Sequence, residues 1–104
     1  MAERLGIVIR TDTERDRSVV GLVGDLDLSG ASHVRSALPR LAGQELVVDL
    51  SRLAFMDAAG LSALLLVRDR LAHSGRCLVF QGARGIVHRV FDLAGLGHLV
   101  EEAA

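Results

Sequence analysis

Tryptophan and tyrosine are absent from this 104-residue chain, and its aromatic residues are three phenylalanines. So few rings cannot build a stacking platform for single-stranded nucleic acid. Charge of either sign is not in excess: 12 Lys+Arg against 13 Asp+Glu give a formal net charge of −1. No basic face suited to nucleic acid is expected. There is one cysteine, Cys77. It cannot close an intrachain disulfide and lacks a thiolate partner for a metal site. Within the apolar segment "RCLVFQ" it reads as a buried, inert thiol. Long hydrophobic runs are missing too. The longest, Ala63–Val67, is far short of the ~20 residues that span a bilayer. The segment "MAERLGIVIR" has no long apolar core of the signal-peptide kind. These absences predict a soluble, cytoplasmic protein with no membrane insertion.

What is present is the composition of a globular domain. Hydrophobic residues make up 50% of the chain, and its length suits one domain over residues 1–104. "LGIVIR" (5–10) and "SVVGLVG" (18–24) are short and β-branched, and the polar stretch "TDTERDR" between them predicts a hairpin. In "SGASHVRSALPRLAG", Ala31, Val34, Leu38 and Leu41 recur at helical spacing. Ser29 is a good N-cap, and Ser32 is also read as a capping residue. Pro39 should bend or end this helix.

"ELVVDL" (45–50) is a nearly continuous apolar run, as in a strand covered on both faces. A helix is predicted from about Ala58 to Ser74, stopped by Gly75. "RCLVFQ" (76–81) is a further strand. "ARGIVHRVFDLAG" gives a last helix, with Ile86, Val90 and Leu93 on one side and Gly95 at its end. "HLV" (98–100) either adds a short strand or packs. The order β-β-α-β-α-β-α implies an α/β fold, with right-handed crossovers and one mixed sheet of four to five strands packed by helices.

The helix after the loop "FMDAAGL" has two faces. At about 100° per residue, Leu61, Leu64, Leu65, Val67, Leu71 and Ala72 form the sheet-packing face, with Arg68 snorkelling from its edge. The other face carries Ala59, Ser62, Ala63, Leu66 and Arg70. It is either an ordinary run of good helix formers or a docking surface whose small residues allow close approach. Asp57 sits where an N-cap would. Gly60, a poor helix former, suggests close backbone approach.

The remaining groups are less telling. Asp25 and Asp27 alternate along a strand end and are read as surface residues, not as a chelating pair. "GARG" (82–85) opens a helix but lacks a phosphate-loop pattern. His33, His73, His88 and His98 are scattered, without the i, i+4 spacing of a helical metal site. No cofactor, metal site or catalytic constellation is expected, and a homodimer is left open.

Three blocks carry a family resemblance. "VVDLSRLAFMDAAGLSALL" resembles the signature of STAS domains, the fold of bacterial anti-sigma factor antagonists, in which a strand leads to "D-S-S-G-L" or "D-S-A-G-L" and a helix. "GDLDLSGASHVRSAL" is similar to the family's "G-E-L-D" run before its first helix. "GIVHRVFDLAGLGHLV" is similar to its C-terminal "V-x-R-x-F/L-x-x-x-G-L". The blocks occur in family order over nearly the whole chain.

The resemblance implies a non-enzymatic partner switch. Such an antagonist binds an anti-sigma factor, usually also a serine kinase of the GHKL type, and so frees a sigma factor. The kinase phosphorylates the serine after the loop aspartate, and this abolishes binding. Here Asp57 and Gly60 match the motif, but Ala58 stands at the phospho-acceptor position and Ala59 follows it. Alanine cannot be phosphorylated. The partner-facing residues implied are Asp57, Ala58, Ala59, Gly60, Ser62 and Leu66, with Asp25, Asp27 and Ser29 at the neighbouring edge. Ser62 is ordinarily a solvent-facing serine, with an alternative phospho-acceptor as the second reading. The alternative for the whole chain is a structural STAS subunit of a larger signalling or lipid-transport assembly.

Overall fold

In the computed structural model, residues 4–102 are described. Residues 1–3 and 103–104, the ends of the expected 1–104 domain, lie outside the described residues. Five strands alternate with three helices: β1 (Gly6–Asp12), β2 (Arg17–Leu26), α1 (Leu28–Ala37), β3 (Glu45–Met56), α2 (Ala58–His73), β4 (Cys77–Gln81), α3 (Gly85–Leu93) and β5 (Val100–Glu101). The sheet order is β1-β2-β3-β4-β5. β1 and β2 form the expected hairpin, and every later pairing is parallel.

This order dictates the layering. Each parallel crossover moves one strand in the same direction, so right-handed connections put all three helices on one face. α2 lies between α1 and α3 and touches both. The core sits between that layer and the sheet, with Val20, Leu22, Val48, Leu50, Leu64, Val67, Phe80, Val87 and Phe91 fully or almost fully buried. Phe80 and Phe91 meet with ring centroids 5.3 Å apart at 58°, a tilted geometry favoured by the ring quadrupole.

The same layering corrects two expectations. β3 is covered by helices on one face only. Val47 is buried because Val19 and Val79 flank it in register on the open face. Cys77 is exposed, not buried. It opens β4 opposite Glu45, on the side without helices.

Several local rules read from the chain hold. Pro39 ends α1 in a 3-10 turn over Leu38–Arg40. α2 closes with Gly75 at φ 75°. The amide of Gly75 donates to Ala72 O at 3.0 Å and that of Arg76 to Leu71 O at 2.8 Å. Both bonds satisfy last-turn carbonyls in the Schellman manner. Gly95 closes α3 the same way.

Other local details differ. α1 is capped by Asp27, not Ser29, because its carboxylate reaches the amides of Ser29 and Gly30. Ser32 is an exposed residue inside α1. On α2, Ala63 is buried and Ala72 is exposed. A central helix flanked on both sides buries a wider, shifted arc than one packed on a sheet alone. On α3 the buried residues are Val87 and Phe91, while Ile86 and Leu93 face solvent.

Candidate functional site

The site forms where two neighbouring parallel strands end. Asp25 pairs with Phe55, and Leu26 with Met56, at the carboxyl ends of β2 and β3. Each strand then turns through an aspartate into a helix. Asp27 caps α1 and Asp57 caps α2, both with extended backbone. Asp27 Oδ1 accepts from the Ser29 amide at 3.1 Å, the Ser29 hydroxyl at 2.7 Å and the Gly30 amide at 3.3 Å. Asp57 Oδ1 accepts from the Gly60 amide at 2.9 Å. Carboxylates at these positions also meet the positive ends of the helix dipoles. The Ser29 hydroxyl, then the Gly30 amide, hold the Asp27 carboxyl below its ordinary pKa.

Two contacts lock the turns together. The amide of Asp57 donates to Leu26 O at 3.3 Å. Gly60 is buried, and a Cβ there would lie 2.8 Å from Leu26 Cγ and 3.0 Å from Met56 Cγ, with the Leu26 carbonyl closer still. Only a residue without a side chain lets α2 start this close to β2. Gly60 was expected on the partner-facing surface; the structure buries it, so it sets the spacing of that surface without reaching it.

The other sequence-predicted residues stay accessible. Ala58, Ser62 and Leu66 are exposed at i, i+4 and i+8 along α2, while Asp57 and Ala59 are half-buried. Asp25, Asp27 and Ser29 line a cleft of about 560 Å³ together with Arg4, Leu5, Gly30 and His33. The structure thus brings the two predicted groups side by side on one edge.

Two exposed apolar residues belong to this edge and escaped the sequence reading. Leu28 is 73% exposed at the start of α1, and Phe55 is 37% exposed just before Asp57. The register of β3 against β2 shifts between Gly24 and Asp25, so the pairing passes from Leu53 to Phe55. That irregularity leaves Ala54 and Phe55 outward and Met56 inward. A two-residue alternation counted from Leu53, which lies between this shift and an earlier one at Gly21–Val23, would have marked Phe55 as buried.

A second crevice lies at the carboxyl ends of β4 and β5, beside Ser51 in the middle of β3. Ser51, Gly82, Ala83, Arg84, His88 and Glu101 are among the residues lining its roughly 300 Å³. Arg84 is tied down by donation from Nη2 to Ser51 O at 3.1 Å, and His88 Nδ1 lies 3.0 Å from Asp92 Oδ2.

Comparison with known proteins places this geometry in context. The family described as "Mlab, STAS domain" matches residues 9–101. The fold is similar to the Bacillus anti-sigma factor antagonist SpoIIAA in its unphosphorylated form, at 23% identity and a TM-score of 0.81, over 95% of this chain and 89% of that one. An anti-sigma factor antagonist from Mycobacterium paratuberculosis is similar at 23% identity and a TM-score of 0.79, over 97% and 87% of the two chains. A sulfate transporter family protein from Wolinella succinogenes shares the fold at 15% identity and a TM-score of 0.69, over 82% and 75%. No helix among the described residues is long and apolar enough to cross a membrane.

Proposed function

The chain belongs to the STAS family, and we propose that it is an anti-sigma factor antagonist that binds an anti-sigma factor and so releases a sigma factor in the cytoplasm. The proposed partner is also a serine kinase of the GHKL type. Contact is made by Ala58, Ser62 and Leu66 on α2, with Asp57 and Ala59 at its start and Asp25, Asp27 and Ser29 alongside.

The observation that carries this reading is the turn that exposes Ala58 beside half-buried Asp57, locked to the end of β2 by the Asp57–Leu26 bond. The surface is small-residued and has apolar Leu66, Leu28 and Phe55 within reach of a partner. Two of the edge's three aspartates, Asp27 and Asp57, are engaged in capping. A phosphate there would add about −1.5 to −2 charges to a face that must lose water on binding. Ala58 removes the oxygen that could carry it. The protein therefore binds without first being dephosphorylated.

Incubation of the chain with its partner kinase and labelled ATP tests this. The expected result is a stable complex and no label on residue 58. Stoichiometric label that disappears in Ser62→Ala means the switch has moved one turn along α2. Absence of any complex with an anti-sigma factor from the same genome overturns the reading.

The second reading, a structural STAS subunit of a larger signalling or lipid-transport assembly, draws on the same alanine. A face that cannot be phosphorylated suits permanent contact. Pull-down from the native host separates the two: a GHKL-type kinase supports the first, and transporter subunits or other STAS proteins support the second.

A further inference from the structure

β1 is an edge strand whose first half carries no charge. Its seven residues pair with β2 on one side, in an unbroken register from Gly6↔Val23 to Asp12↔Arg17. Its other side pairs with no described strand. Natural edges are blunted by proline, charged side chains (lysine above all), bulges or short length. β1 has no proline, lysine or bulge, and its two charged residues, Arg10 and Asp12, both stand in its second half. Val8 is 59% exposed and Ile9 is 49% exposed.

Gly6 adds an independent oddity. Glycine weakens a strand interior and usually marks close approach or a bend. Yet a Cβ at Gly6 would meet only Val23 Cβ at 3.6 Å and Val23 O at 3.7 Å, which is ordinary contact. Nothing within the described chain requires a glycine there.

We propose that β1 pairs antiparallel with β1 of a second copy, about a two-fold axis at Val8. A two-fold perpendicular to the sheet keeps both helix layers on one side. It must also place some residue opposite its own copy, since directly opposed side chains share a face. Centring on Val8 opposes Ile7 to Ile9, Gly6 to Arg10, Leu5 to Thr11 and Arg4 to Asp12. Apolar side chains meet in the middle and opposite charges meet at both ends. Gly6 leaves room for the long stem of the facing Arg10, which accounts for the glycine.

Neighbouring registers are worse. Centring on Ile7 sets Arg4 against Arg10, centring on Ile9 sets Val8 against Arg10, and centring on Arg10 opposes two identical cations. In the chain alone, Arg4 forms no ion pair with a described carboxylate, and Asp12 accepts from the Arg15 amide at 3.2 Å and has a long 3.9 Å contact with the Arg15 guanidinium. Both are available to a partner. This pairing uses a different edge from Ala58, and the two surfaces approach each other only where Arg4 and Leu5 line the cleft beside Asp25, Asp27 and Ser29.

Sedimentation equilibrium of the full chain tests it, with circular dichroism and denaturant unfolding as checks on folding. The wild type is expected to dimerise reversibly. Val8→Lys places like charges opposite each other and should weaken the dimer roughly tenfold or more, with the fold intact. Gly6→Val fits the monomer and favours strand, yet should weaken the dimer by filling the space over which Arg10 lies. Arg4→Asp and Asp12→Arg should each weaken association, and the double exchange should restore it. A wild type that stays monomeric up to its solubility limit overturns the proposal. So does a dimer that Val8→Lys and Gly6→Val leave unchanged.

Discussion

The amide of Asp57 donates to the carbonyl of Leu26 across 3.3 Å. This single bond joins the end of one parallel strand to the first residue of the turn that follows the next. It fixes the start of α2 beside the start of α1 and makes one surface of two loops that are about 30 residues apart in sequence. The surface is built from backbone, so its shape does not depend on the residue at 58.

Gly60→Ala tests that construction. The added methyl would meet the Leu26 carbonyl and side chain, and neither end can retreat without moving β2. A loss of about 1–3 kcal/mol is expected from such overpacking. The check is denaturant unfolding, and partner binding should fall together with stability. A neutral substitution would show that α2 is not held against Leu26.

Asp27 gives a pH signature. Its carboxyl is held below its ordinary pKa by the Ser29 hydroxyl and then by the Gly30 amide. A folded pKa below the unfolded one stabilises the fold above the unfolded value, and the effect is lost as pH falls through the folded value. The stability advantage over Asp27→Asn should be full at neutral pH and should vanish in acid below the ordinary aspartate range. Paired denaturation curves across pH measure it.

Arg76 is a structural clamp that the sequence did not single out. Its Nε donates to Gly43 O at 2.9 Å, its Nη1 to Pro39 O at 3.2 Å and its Nη2 to Leu41 O at 2.6 Å. One guanidinium thus holds the loop between α1 and β3. Arg76→Ala is expected to cost about 2–3 kcal/mol, from charge-assisted bonds left unmade. Arg76→Lys should not rescue it, because a point charge cannot serve three diverging carbonyls.

The contrast between Arg76 and the legible parts of the chain is instructive. The hairpin could be read from "TDTERDR", the end of α1 from Pro39 and the ends of α2 and α3 from Gly75 and Gly95. Each is a local rule of backbone geometry. The motif around Asp57 was legible as well, through its family resemblance. Arg76 was not, because its partners lie 33 to 37 residues away. The extension of β3 to Met56 was hidden for a related reason. Ser51 and Arg52 interrupt the apolar run, and only the pairing that resumes at Val23↔Arg52 and runs to Leu26↔Met56 carries the strand past them. Leu53 faces inward and Phe55 outward because of two register shifts between the strands, which neither strand shows alone. Long-range pairing, rather than weak local signal, set the limit.

The exposed run on α2 carries the last prediction. Leu66 is 46% exposed and lies two turns beyond Ala58 on the same side. Its apolar area adds nothing to the core, so Leu66→Asp should leave unfolding within about 0.5 kcal/mol of the wild type. The same change should weaken the anti-sigma factor complex strongly, because a desolvated carboxylate would lie in the contact. Ala58→Ser makes the complementary change. It keeps the small size of the residue and restores a hydroxyl at the exposed first position of α2. Binding should survive that substitution, and the partner kinase should now label residue 58 and release the complex. Calorimetry before and after incubation with ATP reads both effects. If Leu66→Asp binds as tightly as the wild type, the docking face lies elsewhere on the molecule. If Ala58→Ser is never labelled by a kinase that binds it, Ala58 is not a disabled switch but part of a surface built for permanent contact.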